Sequence, residues 1–206
     1  MEDISQSYLS APIRAIQGER TISIDEMTGI QATERVLPSL PMRPGKVECR
    51  EFEYIRHGTQ TLIANFDVTT GQVVVPSIDQ TRTEADFLSH CQRLIASDPN
   101  ASKWHLIMDC LNIHQSESLV KWIADIEGIT FDTLGIKGQS GILQSMNTRA
   151  QFLTNPQHKV VFHFTPKHCS WLNQVEIWFS ILTRKLLSRG SFSSQADLKQ
   201  QRLEFY

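Results

Sequence analysis

Thr165-Pro166-Lys167-His168-Cys169-Ser170-Trp171-Leu172-Asn173-Gln174-Val175-Glu176-Ile177-Trp178-Phe179 is the stretch from which the rest of the chain can be read. Its first half holds Pro166 and a capping-type Ser170, so it reads as a loop that ends where a helix begins. Beyond it Trp171, Val175, Trp178, Leu182 and Leu186 recur at three- and four-residue steps, which predicts a helix with one face committed to a core. Asn173, Glu176, Ser180 and Thr183 fall on a neighbouring stripe, so Glu176 is expected in the first two turns, beside buried positions. A carboxylate placed there needs a partner. A Lys or Arg, or water at the rim of the core, would serve; so would a metal ion held jointly with carboxylates from elsewhere.

Upstream of this stretch the chain alternates strand and helix signals. Val160 to Phe164 reads as a strand leading into the loop, and Trp104 to Met108 is a short apolar run of the kind covered on both faces in a parallel or mixed sheet. That run ends in Asp109. Ser116 to Ile126 has helical spacing, and Thr83-x-x-Asp86 opens an amphipathic helix with a capping-box pattern, stopped by Asp98-Pro99-Asn100. Thr59 to Phe66, the turn Thr69-Thr70-Gly71 and Gln72 to Val75 predict an antiparallel hairpin. Thr21 to Glu26 alternates as a strand, with Asp25 at its end, and the prolines of Gln31 to Gly45 predict an irregular excursion. Gly135 to about Asn155, with three glycines, reads as a mobile loop that matches neither a P-loop nor a dinucleotide fingerprint. Residues 1–20 show no sustained period and are expected to be a leader or linker remnant, which leaves 21–206 as one domain. Ser194-x-x-Asp197 caps a last helix that is still running at Tyr206.

Composition narrows the class. With 206 residues, 40% hydrophobic and 20% charged, the chain is long enough for one sizeable core. It lacks a secretion signal and any run of about twenty apolar residues, so a cytoplasmic protein with no membrane role is expected. Cys49, Cys91, Cys110 and Cys169 form no C-x-x-C pair and read as reduced, mostly buried thiols. No H-E-x-x-H spacing supports a zinc hydrolase, and no G-x-S-x-G elbow supports serine chemistry. The net charge is −2, yet from Thr133 onward nine Lys and Arg face three Asp and Glu. Such a basic third suits either a phosphate-facing surface or a solvated helical face; in it Lys167, His168, Arg184 and Lys185 are the candidate phosphate contacts.

The chemistry-bearing residues then fall into one pattern. Asp25 and Asp109 each follow strand signals and Glu176 sits near the start of a late helix, and in open α/β sheets the ends of central strands share a crevice. Converging carboxylates repel one another. Two Mg²⁺ or Mn²⁺ ions would convert that liability into a clamp for in-line displacement at phosphorus. Asn112 and His114, just past Asp109, and Asn173, one turn before Glu176, could orient a phosphate or a ligand carboxylate. The plainer reading keeps each Asp as a turn or cap residue and His114 as a surface or satisfied histidine.

Ile24-Asp25-Glu26, His57-Gly58-Thr59-Gln60-Thr61-Leu62, Met108-Asp109-x-x-Asn112-x-His114 and Pro166-x-x-x-Ser170-Trp171-Leu172-Asn173-Gln174-Val175-Glu176-x-Trp178-Phe179 resemble the catalytic domain of bacterial insertion-sequence transposases of the mariner-like DDE superfamily. The resemblance runs from about Thr21 to Tyr206. It implies an α/β, ribonuclease H-like fold: a mixed β-sheet with an antiparallel hairpin meander and flanking helices. It also implies an Asp-Asp-Glu triad carried by Asp25, Asp109 and Glu176, cleavage of DNA at transposon ends, joining of the freed 3′-hydroxyl to target DNA, and a homodimer that pairs two ends. The step from Asp109 to Glu176 is longer than in the best-known members, and the Gly135 to Asn155 insertion accounts for it at small entropic cost. Family members carry upstream helix-turn-helix units that residues 1–20 cannot encode. Two other readings follow: a truncated non-catalytic remnant that binds or inhibits a full-length transposase, and a structure-selective nuclease or ribonuclease.

Overall fold

The computed structural model describes residues 2–205; Met1 and Tyr206, the outer ends of the two expected divisions, lie outside the described residues. The sheet grows from one long strand, β1 (Glu19–Arg35). β2 (Tyr54–Asp67) pairs antiparallel with it, from Ile22 opposite Asp67 to Arg35 opposite Tyr54, and β3 (Gln72–Asp79) returns antiparallel along β2. Asp67 Oδ1 locks the intervening turn by accepting from the Thr69 and Thr70 amides at 2.9 and 3.2 Å. On the other side of β1, β4 (Lys103–Met108) pairs in parallel, and β5 (Val160–Phe164) runs parallel to β4. The order β3-β2-β1-β4-β5 is the expected mixed sheet with its meander at one edge.

Six α-helices are described: α1 (Glu2–Ile16), α2 (Glu84–Ala96), α3 (Glu117–Ile126), α4 (Met146–Leu153), α5 (Val175–Leu182) and α6 (Gln195–Phe205). They form a layer on each face of the sheet. Phe87, Leu94, Leu119 and Ile123 of α2 and α3 pack with Ile22, Ile24, Leu106 and Phe162 in the larger core. Val175, Trp178 and Leu182 of α5 and Leu198 of α6 pack with Ile30, Ala32, Leu62 and Ala64 on the opposite face. β1 thus serves both cores with even-numbered residues, which strict alternation forbids. A bulge between Met27 and Ile30, with Gly29 at φ +67°, inserts the extra residue that shifts the phase.

Where the sequence carries local signals, the elements match them. The Thr83–Asp86 capping box forms in both directions: Thr83 Oγ1 accepts from the Asp86 amide at 3.2 Å and Asp86 Oδ2 from the Thr83 amide at 2.7 Å. Full burial of Phe87 and Leu94 then holds α2 to the sheet, at roughly 1.5–3 kcal/mol for each side chain.

Four expectations need correction. Residues 2–16 form a helix, α1, packed on β1 and β5 through Ile4, Ser7 and Ala11. Its apolar residues did not read as a stripe because Leu9, Ile13 and Ile16 point outward and are exposed. Second, β1 continues ten residues past Asp25, so Asp25 stands within the strand, and the irregular excursion begins only after Arg35. Third, the Gly135 to Asn155 stretch is built around a 3-10 turn at Ile142–Gln144 and α4, anchored by the buried Leu143 and Leu153; a Ser145–Thr148 capping box starts α4. Fourth, of the four free cysteines only Cys91 is buried, and Cys49 is exposed.

Candidate active site

The parallel register of β1 and β4 builds the site. Its last pair is Ser23 opposite Ile107, and continuing the register by two residues brings Asp25 alongside Asp109. Neighbouring strands are about 4.8 Å apart, and the charge of Asp109 is felt at Asp25. Asp25 is almost fully buried at 8% exposure; its Oδ1 accepts from the Glu26 amide at 2.8 Å and its Oδ2 from Asn173 Nδ2 at 3.2 Å.

Asn173 ties the helix that carries the third carboxylate to Asp25. Fully buried, its carboxamide also donates to the Ile24 carbonyl at 2.8 Å and accepts from the Ser23 hydroxyl. Ser23 Oγ in turn accepts from the Val175 amide at 2.9 Å, and Tyr8 of α1 accepts from the Gln174 amide at 3.1 Å. The first turn of α5 is thereby stitched to β1, and Glu176 stands in that turn, half-buried. The helix itself begins later than expected. Ser170–Leu172 is a separate 3-10 turn, Ser170 does not cap α5, and Trp171 is 67% exposed, so it is not on the core face. The apolar period counted from Val175 is real; Trp171 fell in phase with it by coincidence across a break in the helix.

The electrostatics show that the three acids sense one another. Burial raises the Asp25 carboxyl to about 7, against the Glu26 amide's hydrogen bond, and the charges of Asp109, Glu26 and Glu176 push the same way. Glu176 is raised by burial and by Asp109. Asp109 goes the other way: the hydrogen bond from His114 holds it below the usual carboxylate range despite burial. His114 is the largest departure from a surface histidine. It is completely buried, with Nδ1 2.8 Å from Asp109 Oδ1 and Nε2 2.9 Å from Glu26 Oε1. Burial opposes its protonation, but the two carboxylates outweigh that and raise it to about 10.

The donor set suits Mg²⁺ or Mn²⁺ in kind, being three carboxylates and no thiolate. The raised Asp25 and Glu176 carboxyls are the electrostatic load that a divalent cation offsets. Among the described residues, however, no three acids or other ligating side chains close on a single point.

The remaining candidates separate. Asn112 lies exposed on the 3-10 turn Asn112–Gln115, with no hydrogen bond to the acids. Lys167 and His168 are exposed on the rim of a cleft whose wall includes Asp109 and Thr165, and His168 takes a left-handed φ of 63°. Arg184 and Lys185 lie beyond α5 in a π-helical turn, Thr183–Leu187, where with Ile181 and Arg189 they line a second, basic groove. At 1.5 Å per residue that is about 12 Å further along the helix than Glu176. Glu26 and Ser23 were not singled out from the sequence. Glu26 had a signal: it is in phase with Ile22 and Ile24, so a carboxylate was due on the apolar face and needed a cationic partner.

Comparison with curated proteins finds no match. Three solved structures share the fold: the Mos1 mariner paired end complex with Mn, at TM-score 0.51 and 13% identity over 100% of this chain and 54% of that one; the Mos1 strand transfer complex, at 0.51 and 14% over 100% and 53%; and a pre-cleavage Mos1 transpososome, at 0.51 and 13% over 100% and 54%. The chain spans about half the length of these proteins. At such identities the likeness is one of architecture, the ribonuclease H-like fold. Residues 20–199 match the family described as DDE superfamily endonuclease, and the chain belongs to that family.

Proposed function

We propose that this chain is the catalytic domain of a DNA transposase of the bacterial insertion-sequence type, with α1 packed onto the unit expected over 21–206. It would cut DNA strands at transposon ends and join the freed 3′-hydroxyl to target DNA. The observation that carries this reading is that Asp25 and Asp109 each lie two residues past the last β1–β4 pair, with the start of α5, which holds Glu176, tied to Asp25 by Asn173. Asp25, Asp109 and Glu176 are the residues that would hold two Mg²⁺ or Mn²⁺ ions. Bound there, the ions supply activation of the attacking oxygen and stabilisation of the leaving oxygen.

The chain's own residues do the rest. Asn173 sets the distance between Asp25 and Glu176, His114 keeps Asp109 ionised, and Lys167 and His168 flank the scissile phosphate from the rim. Arg184 and Lys185 take the DNA backbone further along, where positive charge supplies affinity without sequence choice. A homodimer that pairs two ends is supported by the arm between β1 and β2. This arm is a finger pinned by Leu40–Cys49 and Arg43–Lys46 bridges, and it holds Leu40, Met42, Val47 and Phe52 exposed. Apolar residues gathered in this way mark a contact surface. No helix among the described residues is long and apolar enough to cross a membrane, which is compatible with work on DNA in the cytoplasm.

Plasmid nicking with Mn²⁺ tests the assignment. The parent chain is expected to nick supercoiled DNA, and Asp25→Asn, Asp109→Asn and Glu176→Gln each to abolish nicking with the fold intact; full activity in any of the three removes that residue from the site. The second reading, a non-catalytic remnant, draws on the absence of a closed three-acid cluster among the described residues. It expects no nicking at any metal concentration together with capture of a full-length relative.

A further inference from the structure

We propose that Glu26 is a positioning residue for Asp109, acting from the opposite face of the sheet through the ring of His114. The proposal rests on the three-carboxylate reading of the site and adds to it a residue outside the triad.

Successive residues of a strand point to opposite faces. Asp25 turns to the side of α5 and Asn173, and Glu26 to the side of the larger core, where its side chain is 1% exposed. Core residues surround the pair: the Phe87 ring centroid is 4.4 Å from that of His114. An ion pair in such a place is not an efficient way to fill space, because apolar groups of the same volume hold a core at least as well. Its geometry has another use. Each ring nitrogen of His114 meets an acceptor-only carboxylate, at 2.9 Å to Glu26 and 2.8 Å to Asp109, so both nitrogens donate and the ring cannot turn without breaking one bond.

The result is a single held orientation for Asp109. Its Oδ1 lies 2.8 Å from His114 Nδ1, which is also 3.1 Å from the Asp109 carbonyl oxygen, and accepts from the Leu111 amide at 3.0 Å. No hydrogen bond among the described residues uses Oδ2, which leaves one oxygen for a ligand. The backbone closes the circuit, since the Glu26 amide donates to Asp25 Oδ1. One dipeptide therefore sets both acids, Asp25 directly and Asp109 through the imidazole. Groups behind the ligands of a metal site fix ligand orientation in this way, and their loss typically lowers metal affinity about 10–100-fold.

The test is Mn²⁺ calorimetry on the whole chain, with thermal melts alongside. Glu26→Gln keeps size and a hydrogen-bonding head but not the charge that holds the ring. It is expected to weaken Mn²⁺ binding about 10–100-fold, and Glu26→Gln with Asp109→Asn to bind no more weakly than Asp109→Asn alone. If Asp109→Asn weakens binding and Glu26→Gln does not, the positioning role is overturned and the site reading stands. If Asp109→Asn leaves binding unchanged, the site reading itself fails. A measurement on the unsubstituted chain covers variants that do not fold: the His114 Nδ1–H resonance is expected to move on adding Mg²⁺, and a resonance that stays put while Mg²⁺ binds overturns the proposal.

Discussion

Asn173 Nδ2 lies 3.2 Å from Asp25 Oδ2 and 2.8 Å from the Ile24 carbonyl, so one buried carboxamide ties the start of α5 to the middle of β1. Asn173→Ala leaves those acceptors and the Ser23 hydroxyl short of a partner, at about 1–3 kcal/mol for each buried group. For a chain of this size each kcal/mol lowers Tm by about 2–4 °C. Displacing Glu176 by about 1 Å would reduce nicking about 100-fold. The variant is expected to melt earlier and to lose far more activity than stability; unimpaired nicking would remove Asn173 from the site.

Asp25 makes the metal-free protein sensitive to pH. Its folded carboxyl titrates at about 7 against an ordinary 3.8, so the native state keeps a proton that the unfolded chain releases. That contribution is complete below about pH 4 and is lost as pH rises to about 7. Asn cannot ionise. Asp25→Asn is therefore expected to be more stable than the parent chain at about pH 8 in EDTA, with the difference closing toward about pH 4. Urea midpoints at the two ends of the range check this, and a pH-independent difference contradicts it.

Lys167 and Arg184 are separated along the site but have the same proposed task. Lys167→Ala and Arg184→Ala are each expected to weaken binding of duplex DNA of any sequence and to lower the salt slope by about 1. Fluorescence anisotropy across a salt series measures both quantities. A slope unchanged in either variant means that residue does not meet phosphate.

Phe52 is 83% exposed at the base of the arm. Phe52→Glu places a charge in an apolar contact surface without touching either core. Sedimentation of the parent chain is expected to show a concentration-dependent dimer that this variant loses, with Tm at low concentration unchanged. A monomeric parent chain would leave the arm without that role.

The parts of the fold legible in the sequence are those whose cause is local. β4 and β5 announce themselves as short apolar runs, and α2 by a capping box ahead of an apolar period. α1 was hidden by apolar residues on both its sides, and α4 by the glycines that precede it. The triad candidates were visible as single acids beside recognisable elements. Glu26 went unread because its partner, His114, is 88 positions away.

Sequence alone determined which stretches alternate and which recur at helical steps, since those periods follow from backbone geometry within a few residues. It also determined that acids stand at Asp25, Asp109 and Glu176. Tertiary structure decided that β1 runs on past Asp25 and switches faces at Gly29, that α5 starts at Val175 and not at Ser170, and that His114 is held between two carboxylates. Each of those outcomes depends on groups distant in the chain, whose strand pairing, burial and charge act only once the sheet has brought them within hydrogen-bonding reach.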